Sequence, residues 1–418
     1  MHRRSTRLVG AVVAALLVTG GLVRPGLAQQ ENPHRVVAIG DIHGAYRPLV
    51  EILGKAGLLD DQGRWAGGDA TLVQTGDFTD RGAAIRPVID LLMTLERQAE
   101  AAGGRVVILL GNHETMNLTR LLQDVSPEAI ASFADERSEQ RRSDAYKRFD
   151  RLIRSRRRDL GRDPPGVLTE EAWMKAHPPG FIEYLDAFGP KGVYGRWLRE
   201  KQVIVNVDGT VLMHAGVNPQ LTTSTLGGIN ARVRDEIARF DAHSQRLVDR
   251  GVVLPFFTFY EVLEAARADL DDWVKRQQTS SPLLSPGAEG QYANMLVDLL
   301  EIGKWSIVHA DGPMWFRGFA SWSAAEGAPL VARLQERYKA KRFVVGHTVS
   351  GQHEILPRFD NRVFLIDTGM LSEVYRGGRP SALEITGDRV EAIYLDRRVS
   401  IVDGPGLRVA DEALAAGR

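Results

Sequence analysis

Apolar runs alternate with amphipathic segments from residue 35 onward. Three short runs, Arg35–Gly40, Ala70–Thr75 and Arg105–Leu110, are apolar almost throughout, which is typical of buried strands. Helical spacing of apolar residues follows the first run over 49–58 and the second over 85–95. This alternation predicts βαβ units, and with them an α/β fold built on a mostly parallel sheet.

The alternation is interrupted twice, at about 118–200 and 220–300, where helical patterns replace it. In the second stretch, helical spacing marks Ile229–Phe240 and Tyr260–Val274, and a Ser/Pro/Gly-rich loop follows at Thr279–Gly290. Further strands are expected at Val203–Val207, Val211–Met213, Phe343–Val345, Val363–Ile366, Leu383–Ile385 and Val390–Tyr394. We interpret residues 29–418 as a single catalytic domain that carries two helical insertions.

The first insertion is strongly basic, with ten Lys/Arg and three Asp between Arg141 and Arg162. An apolar stripe at helical spacing (Ala145, Phe149, Leu152 and Ile153) predicts an amphipathic helix packed on the domain. Two interpretations of its charges are open: a wall that attracts anions near a functional site, or a solvated helix face.

Residues 1–28 have the pattern of a secretory signal peptide. A basic start precedes an uncharged apolar run of 16 residues, Leu8–Val23, and Gly26 and Ala28 are small residues before a cleavage point. The run is short for a membrane-spanning helix, so we favour cleavage over a retained anchor and expect no stable membrane insertion afterwards. The Arg3-Arg4 pair leaves Sec and Tat export both open, and we expect an exported, periplasmic or secreted protein.

Composition narrows the chemistry of the chain. It has 418 residues, 53 Lys+Arg, 53 Asp+Glu and no cysteine. The absence of cysteine excludes disulfides, thiolate metal sites and cysteine nucleophiles. The balanced charge gives no overall attraction to nucleic acid, and we expect no nucleic-acid partner.

Polar clusters follow five of the expected strands, where the carboxyl ends of parallel strands place ligand sites. They are Asp41-Ile-His43, Gly76-Asp77-Phe-Thr-Asp80-Arg81-Gly82, Gly111-Asn112-His113-Glu114, His214 in HAG and His347 in GHT. Carboxylates, imidazoles and an amide oxygen are ligands that suit hard or borderline divalent metals. The sequence therefore predicts a metal site at these strand ends.

The five motifs, in this order, resemble those of the calcineurin-like metallophosphoesterases, within them the phosphoprotein phosphatase lineage. The segments GVYGRWL (192–198), DGPMWFRG (311–318) and LIDTGM (365–370) are most similar to the bacterial Shewanella-like phosphatase branch. Phe78-Thr79 stand where the lineage usually has Tyr-Val, HAG replaces HGG, and the SAPNYC signature is absent. The resemblance implies a β-sandwich with a βαβαβ core, flanked by helices.

The resemblance also implies a role for each site residue. Asp41 and His43 would bind a first metal ion, Asp77 would bridge both ions, and Asn112, His214 and His347 would complete the second. The ions would be Mn, Fe or Zn, holding a bridging hydroxide for in-line attack on phosphorus. His113 would be the general acid, oriented by Asp80, and Arg81 and Arg317 would clamp the phosphoryl oxygens.

Three functions are compatible with these residues. The first, which we favour, is a dinuclear phosphatase of phosphate monoesters, acting on phosphoproteins with phosphotyrosine among the candidates, or on small phosphomonoesters. The second is hydrolysis of nucleotides or dinucleoside polyphosphates, which would need an aromatic side chain at the mouth of the site. The third is an inactive phosphate-binding module, which would lack at least one metal ligand.

Overall fold

The structure is a computed structural model that describes residues 33–161, 163–164, 166–220, 224–279 and 287–403. The predicted signal peptide and most of the predicted loop 279–290 lie outside these residues. Within the described residues, no helix combines the length and the apolar character needed to cross a membrane.

The described strands form two sheets. Their bounds are β1 (Arg35–Ile39), β2 (Thr71–Gln74), β3 (Arg105–Ile108), β4 (Ile204–Val207), β5 (Thr210–Met213), β6 (Arg342–Val345), β7 (Leu356–Arg358), β8 (Val363–Leu365), β9 (Ser381–Thr386), β10 (Arg389–Tyr394) and β11 (Arg398–Val402). The first sheet has the order β11-β10-β9-β1-β2-β3, and the second has the order β4-β5-β6-β8-β7.

Each sheet combines a parallel part with antiparallel edges. β1, β2 and β3 are parallel to one another, as are β5, β6 and β8. The remaining pairings, β1 with β9, β9 with β10, β10 with β11, β4 with β5 and β7 with β8, are antiparallel. The expectation of a mostly parallel sheet was therefore wrong, because hairpins and the returning C-terminal strands extend the parallel parts.

Alternation along β1 shows how the layers pack. Val36 and Ala38 face the second sheet and share a buried cluster with Leu212 and Val344, whereas Val37 and Ile39 face the helices on the other side. The two sheets thus bury one face against each other and the other face against helices. This is a β-sandwich flanked by helices, as the resemblance implied.

The other regular elements of the described chain are helices, joined by loops. They are α1 (Tyr46–Lys55), α2 (Ile85–Ala101), α3 (Asn112–Leu118), α4 (Pro127–Ala131), α5 (Ser138–Leu160), α6 (Glu170–Ala176), α7 (Phe181–Phe188), α8 (Val193–Arg199), α9 (Leu226–Asp249), α10 (Phe259–Thr279), α11 (Ala288–Leu300), α12 (Gly318–Ser321) and α13 (Ala324–Tyr338). The two stretches predicted as helical insertions contain α4–α8 and α9–α11, and α11 begins within the predicted loop.

The basic first insertion is held together by ion pairs. The apolar stripe of α5 is packed into the core, with Phe149 only 3% exposed. On its polar sides, Arg156 lies 2.8 Å from Asp269, Arg142 lies 2.7 Å from Glu139, and the other arginines with carboxylate partners are Arg141, Arg154 and Arg157. These pairs neutralise much of the positive charge, which favours the structural interpretation of α5 over an anion-attracting wall.

Candidate metal centre

The five predicted strand ends meet at one place between the two sheets. Asp41 and His43 follow β1, Asp77 follows β2, Asn112 and His113 begin α3 directly after β3, His214 follows β5, and His347 follows β6. All seven side chains are buried, none being more than 9% exposed. The Asp41 carboxylate accepts a hydrogen bond of 3.0 Å from the His347 backbone N–H, which links the loops after β1 and β6, and so the two sheets, within the site.

The backbone of the site is unusually curved. Five residues other than glycine have left-handed φ angles here: His43 (48°), Asp77 (57°), Asp80 (66°), Arg81 (64°) and His347 (65°). Such conformations cost free energy and persist where surrounding contacts impose them, as at functional sites.

Two glycines of the motifs allow the strands to approach this closely. A Cβ atom at Gly111 would collide with the Asp77 carboxylate, and one at Gly346 would collide with the Asp41 carboxylate. These positions therefore need glycine because ligand side chains occupy the space beside the backbone.

Four potential ligand atoms surround the second predicted metal position. His214 Nε2 lies 3.0 Å from Asn112 Oδ1, 3.1 Å from His347 Nδ1 and 3.1 Å from Asp77 Oδ2. His214 Nδ1 lies 3.1 Å from the carbonyl oxygen of Thr75, to which it donates, so the other ring nitrogen, Nε2, faces the centre. Lone pairs crowded in this way need a cation, and ligands ~2.1 Å from one tetrahedral ion lie ~3.4 Å apart. The residues present therefore fit a divalent ion.

The first predicted position is wider. His43 Nε2 lies 3.9 Å from Asp41 Oδ2 and 3.8 Å from Asp77 Oδ2, and its Nδ1 donates to the Thr79 carbonyl oxygen at 3.0 Å. The Asp77 Oδ2 atom thus borders both positions, as a bridging carboxylate would. His113 Nε2 also lies 3.8 Å from this oxygen.

Burial and neighbouring charges set the protonation states of these ligands. Burial lowers the pKa of His43 to about 3 and that of His347 to about 2, so both rings are neutral at neutral pH and have lone pairs to offer. Burial acts to raise the pKa of Asp77, but the imidazoles of His214 and His113 outweigh it and hold this pKa well below its usual range. Burial and two nearby carboxylates raise the pKa of Asp41, which a bound cation would reverse.

His113 and Asp80 form the predicted acid pair. His113 Nδ1 lies 2.8 Å from Asp80 Oδ2, and both side chains are almost fully buried. Burial alone would lower the pKa of His113, but the carboxylates of Asp77 and Asp80 raise it to about 9. Both ring nitrogens are therefore protonated at neutral pH, so the ring has a proton to donate, as a general acid must.

The two predicted clamp arginines lie on different parts of the site. The Arg81 guanidinium spans two imidazoles, 3.0 Å from His43 Nε2 and 3.1 Å from His113 Nε2. Arg317 is more exposed and donates to the His347 carbonyl oxygen at 3.0 Å and to the Thr348 hydroxyl at 2.8 Å. Each guanidinium thus adjoins predicted metal ligands, Arg81 beside the first set and Arg317 beside the second.

Sequence reasoning gave no role to Glu114, which links two of the motifs. One carboxylate oxygen accepts hydrogen bonds from the backbone N–H groups of Asp77 and Gly111, each at 2.8 Å. The other accepts from the N–H groups of Phe78 and Thr79, each at 3.0 Å, and from the Thr79 hydroxyl at 2.8 Å. Glu114 is therefore the residue that fixes the loop after β2 against the start of α3. Its position three residues after Gly111 is that of the glutamate in a capping box, which was a usable signal.

Asp367 was also left without a role. It follows β8 and is 1% exposed, and burial raises its pKa to about 6. Its carboxyl group adjoins that of Asp41 and, after burial, is the main cause of the raised pKa of Asp41. Its Oδ1 accepts a hydrogen bond of 2.9 Å from the Gly369 N–H. The signal for Asp367 was a sixth strand end that presents a polar side chain, in the LIDTGM segment.

Comparison with known proteins places the chain in a family. The sequence profile described as calcineurin-like phosphoesterase matches residues 34–351. The chain belongs to this family. It is accordingly a phosphatase, a hydrolase of phosphoric esters that uses divalent metal ions.

Three individual proteins are similar to this chain, at 23–32% identity. The chain is 32% identical over 214 residues to Shewanella-like protein phosphatase 2 of Arabidopsis thaliana, an alignment that spans 50% of this chain and 53% of that protein. It is 23% identical over 368 residues to Shewanella-like protein phosphatase 1 of Plasmodium berghei, spanning 86% and 74% of the two chains. An uncharacterised protein of Schizosaccharomyces pombe is 28% identical over 90% of this chain and 85% of its own length.

Solved structures confirm the fold. The cold-active protein-tyrosine phosphatase of a psychrophilic Shewanella species superposes with a TM-score of 0.54 at 23% identity, over 88% of this chain and 81% of that one. This phosphatase thus shares the architecture of that protein.

Proposed function

We propose that this phosphatase hydrolyses phosphate monoesters on proteins and prefers phosphotyrosine. The observation that carries the preference is the position of Tyr375. Its half-buried ring has its centroid 5.5 Å from the Arg81 guanidinium carbon and 6.1 Å from the His43 ring centroid. An aromatic leaving group held by its phosphate near Arg81 would meet this ring, and aromatic pairs contribute about 0.5–1.5 kcal/mol. The names of the phosphatase relatives support the protein substrate.

The residues of the site divide the reaction between them. Asp41, His43 and Asp77 would hold one divalent ion, and Asp77 together with the second ligand set, Asn112, His214 and His347, would hold the other. Bound there, the two ions would activate water and neutralise phosphate charge. Mn, Fe and Zn all suit this mixture of oxygen and nitrogen ligands, and we propose manganese for the first tests.

His113 would donate its Nε2 proton to the leaving oxygen, because Asp80 engages Nδ1 and so directs the other nitrogen into the site. Arg81 lies 3.1 Å from His113 Nε2, and because a guanidinium N–H and a protonated Nε2 are both donors, the guanidinium would turn outward, where it could bind the phosphoryl oxygens bidentately. Arg317 would bind them from the side of His347.

The preference is tested with two peptides of one sequence that carry phosphotyrosine or phosphoserine. We expect a higher kcat/KM for phosphotyrosine, and we expect Tyr375→Ala to lower that value by about 2–12-fold while leaving phosphoserine hydrolysis nearly unchanged. Val374→Ala, an exposed neighbour in the same loop, is the matched control. Equal hydrolysis of the two peptides by the wild type, or equal losses in Tyr375→Ala, would refute the preference.

The same ring favours one further candidate, the hydrolysis of nucleotides or dinucleoside polyphosphates, because Tyr375 could stack on a base. Diadenosine tetraphosphate in the same assay separates the two: faster turnover of this compound than of the phosphotyrosine peptide would replace the proposed substrate. The inactive binding module is disfavoured, because the chain retains all six predicted ligands together with the acid pair.

We further propose that the protein acts outside the cytoplasm after removal of residues 1–28. The proposal rests on the basic, apolar and small-residue pattern of that segment. The intact mass of the protein purified from its native host tests it: the expected species begins at Gln29, and a full-length cytoplasmic species would contradict it.

A further inference from the structure

The acid pair of His113 and Asp80 is one end of a longer buried chain of hydrogen bonds. Asp80 Oδ2 engages His113, and its other oxygen accepts a hydrogen bond of 2.7 Å from Asn117 Nδ2. Asn117 Oδ1 in turn accepts a hydrogen bond from the hydroxyl of Tyr184. None of these four side chains is more than 2% exposed, so water does not compete for these contacts.

The Tyr184 hydroxyl decides which way the Asn117 amide faces. The Nδ2 group donates to Asp80, to the His113 carbonyl oxygen at 2.9 Å and to the Thr79 hydroxyl at 3.3 Å. Turned over, the amide would set its oxygen against the Asp80 carboxylate, where two acceptors repel. Because Tyr184 donates to Oδ1, the amide keeps its N–H bonds on Asp80. Burial raises the pKa of Tyr184 well above its usual value, so the hydroxyl keeps its proton.

Tyr184 itself is rigidly packed. Its ring lies 4.7 Å from that of Phe188 in a stacked arrangement and 4.9 Å from that of Phe133 at a steep angle. It belongs to α7 in the first helical insertion, far in sequence from the motifs. The insertion therefore contacts the chain of hydrogen bonds behind His113 through the Tyr184 hydroxyl group.

We propose that Tyr184 is a positioning residue for the reaction: acting through Asn117, it holds the Asp80 carboxylate in the orientation that aims His113 at the leaving oxygen. The insertion thereby gains a role in catalysis beyond packing. The inference rests on the proposed role of His113 as general acid, and its test is designed so that the two ideas can fail separately.

The test compares leaving groups on the full-length enzyme. Phenyl phosphate needs a proton on its departing oxygen, whereas 2,4-dinitrophenyl phosphate needs very little assistance. We expect Tyr184→Phe to lower kcat by about tenfold on phenyl phosphate and by less than about twofold on the dinitrophenyl ester, with KM and metal content unchanged. His113→Asn should show the same selectivity with a larger loss.

Tyr194→Phe is the matched control. Tyr194 lies in the same aromatic cluster, with its ring 5.7 Å from that of Phe188, and its hydroxyl donates to Asp90 at 2.8 Å instead of to the acid chain. Tyr194→Phe should change kcat by the same small factor on both esters. Asn117→Ala removes the link itself and should reproduce the pattern of Tyr184→Phe, which keeps the inference testable if Tyr184→Phe folds poorly.

Each outcome has a definite meaning. Equal losses on both esters in Tyr184→Phe and Asn117→Ala, or no loss in either, would overturn the positioning role while leaving His113 in place. If His113→Asn instead loses kcat equally on both esters, His113 is not the general acid, and the inference about Tyr184 fails with it.

Discussion

The substitution Glu114→Gln tests whether one buried carboxylate holds the site together. Glu114 accepts five hydrogen bonds, four from backbone N–H groups and one from a hydroxyl group. A glutamine has one acceptor oxygen and one NH₂ group. Whichever way its amide turns, at least two of these donors face another donor and are left buried without a partner.

The cost follows from these contacts. A hydrogen bond to a charged group contributes about 1.5–3 kcal/mol, so losing two costs about 3–6 kcal/mol before the remaining three weaken. Globular proteins are stable by about 5–15 kcal/mol, so Glu114→Gln should remove a large fraction of the free energy of unfolding. Because the loop it holds also carries Asp77, metal affinity should fall as well.

The assay is urea unfolding of the chelator-treated protein, followed by tryptophan fluorescence, together with calorimetric titration of Mn²⁺. Glu301→Gln is the control, since its carboxylate is half exposed and pairs with the exposed Lys304, a contact that contributes less than about 1 kcal/mol. If Glu114→Gln unfolds within about 1 kcal/mol of the wild type and binds metal normally, the linking role assigned to Glu114 is wrong.

Three further predictions concern the reaction. Activity on p-nitrophenyl phosphate should disappear with chelator and return with Mn²⁺ or Zn²⁺ at about two ions per chain, and a preparation that turns over without metal would contradict the centre. Asp77→Asn should lose metal as well as activity, whereas His113→Asn should keep its metal and lose about 10²–10⁴-fold in turnover; elemental analysis of both variants distinguishes these roles. Asp80 raises the pKa of His113, so Asp80→Asn should lower it and move the alkaline fall of kcat to lower pH, and an unmoved limb in the pH–rate profile would refute the pairing.

The sequence predicted the parts of the fold that depend on local pattern. β1, β2, β3 and the two insertions came from apolar periodicity, and the structure has them within a few residues of the expected bounds. The edge strands β7 and β11 were missed. β7 is three residues long with proline at its centre, and three of the five residues of β11 are exposed, so neither has the continuous apolar run by which the other strands were recognised.

Strand direction was the larger error, and part of it was avoidable. Asp208-Gly209 joins β4 to β5 and Gly387-Asp388 joins β9 to β10, and two-residue turns of these types connect antiparallel hairpins. The pairing of β1 with β9 has no such signal, because the partners are more than three hundred residues apart along the chain.

The candidate site was predictable because its ligands follow strands, and the carboxyl ends of parallel strands lie at the same end of a sheet. Asp367 obeys that rule and was overlooked. Tyr184 does not obey it, since it lies on a helix of an insertion, and only the packing of that helix brings its hydroxyl to Asn117.

The central position of β1 has a consequence for how the protein is made. This strand leads directly into Asp41 and His43, yet it lies between β2 and β9, and β9 is synthesised more than three hundred residues after β1. Until residues 381–386 emerge, one edge of β1 has unpaired backbone groups and is prone to pairing with other chains. The first metal ligands to be translated are therefore among the last to be fixed in place, and a chain truncated before β9 should aggregate instead of yielding a partly active enzyme.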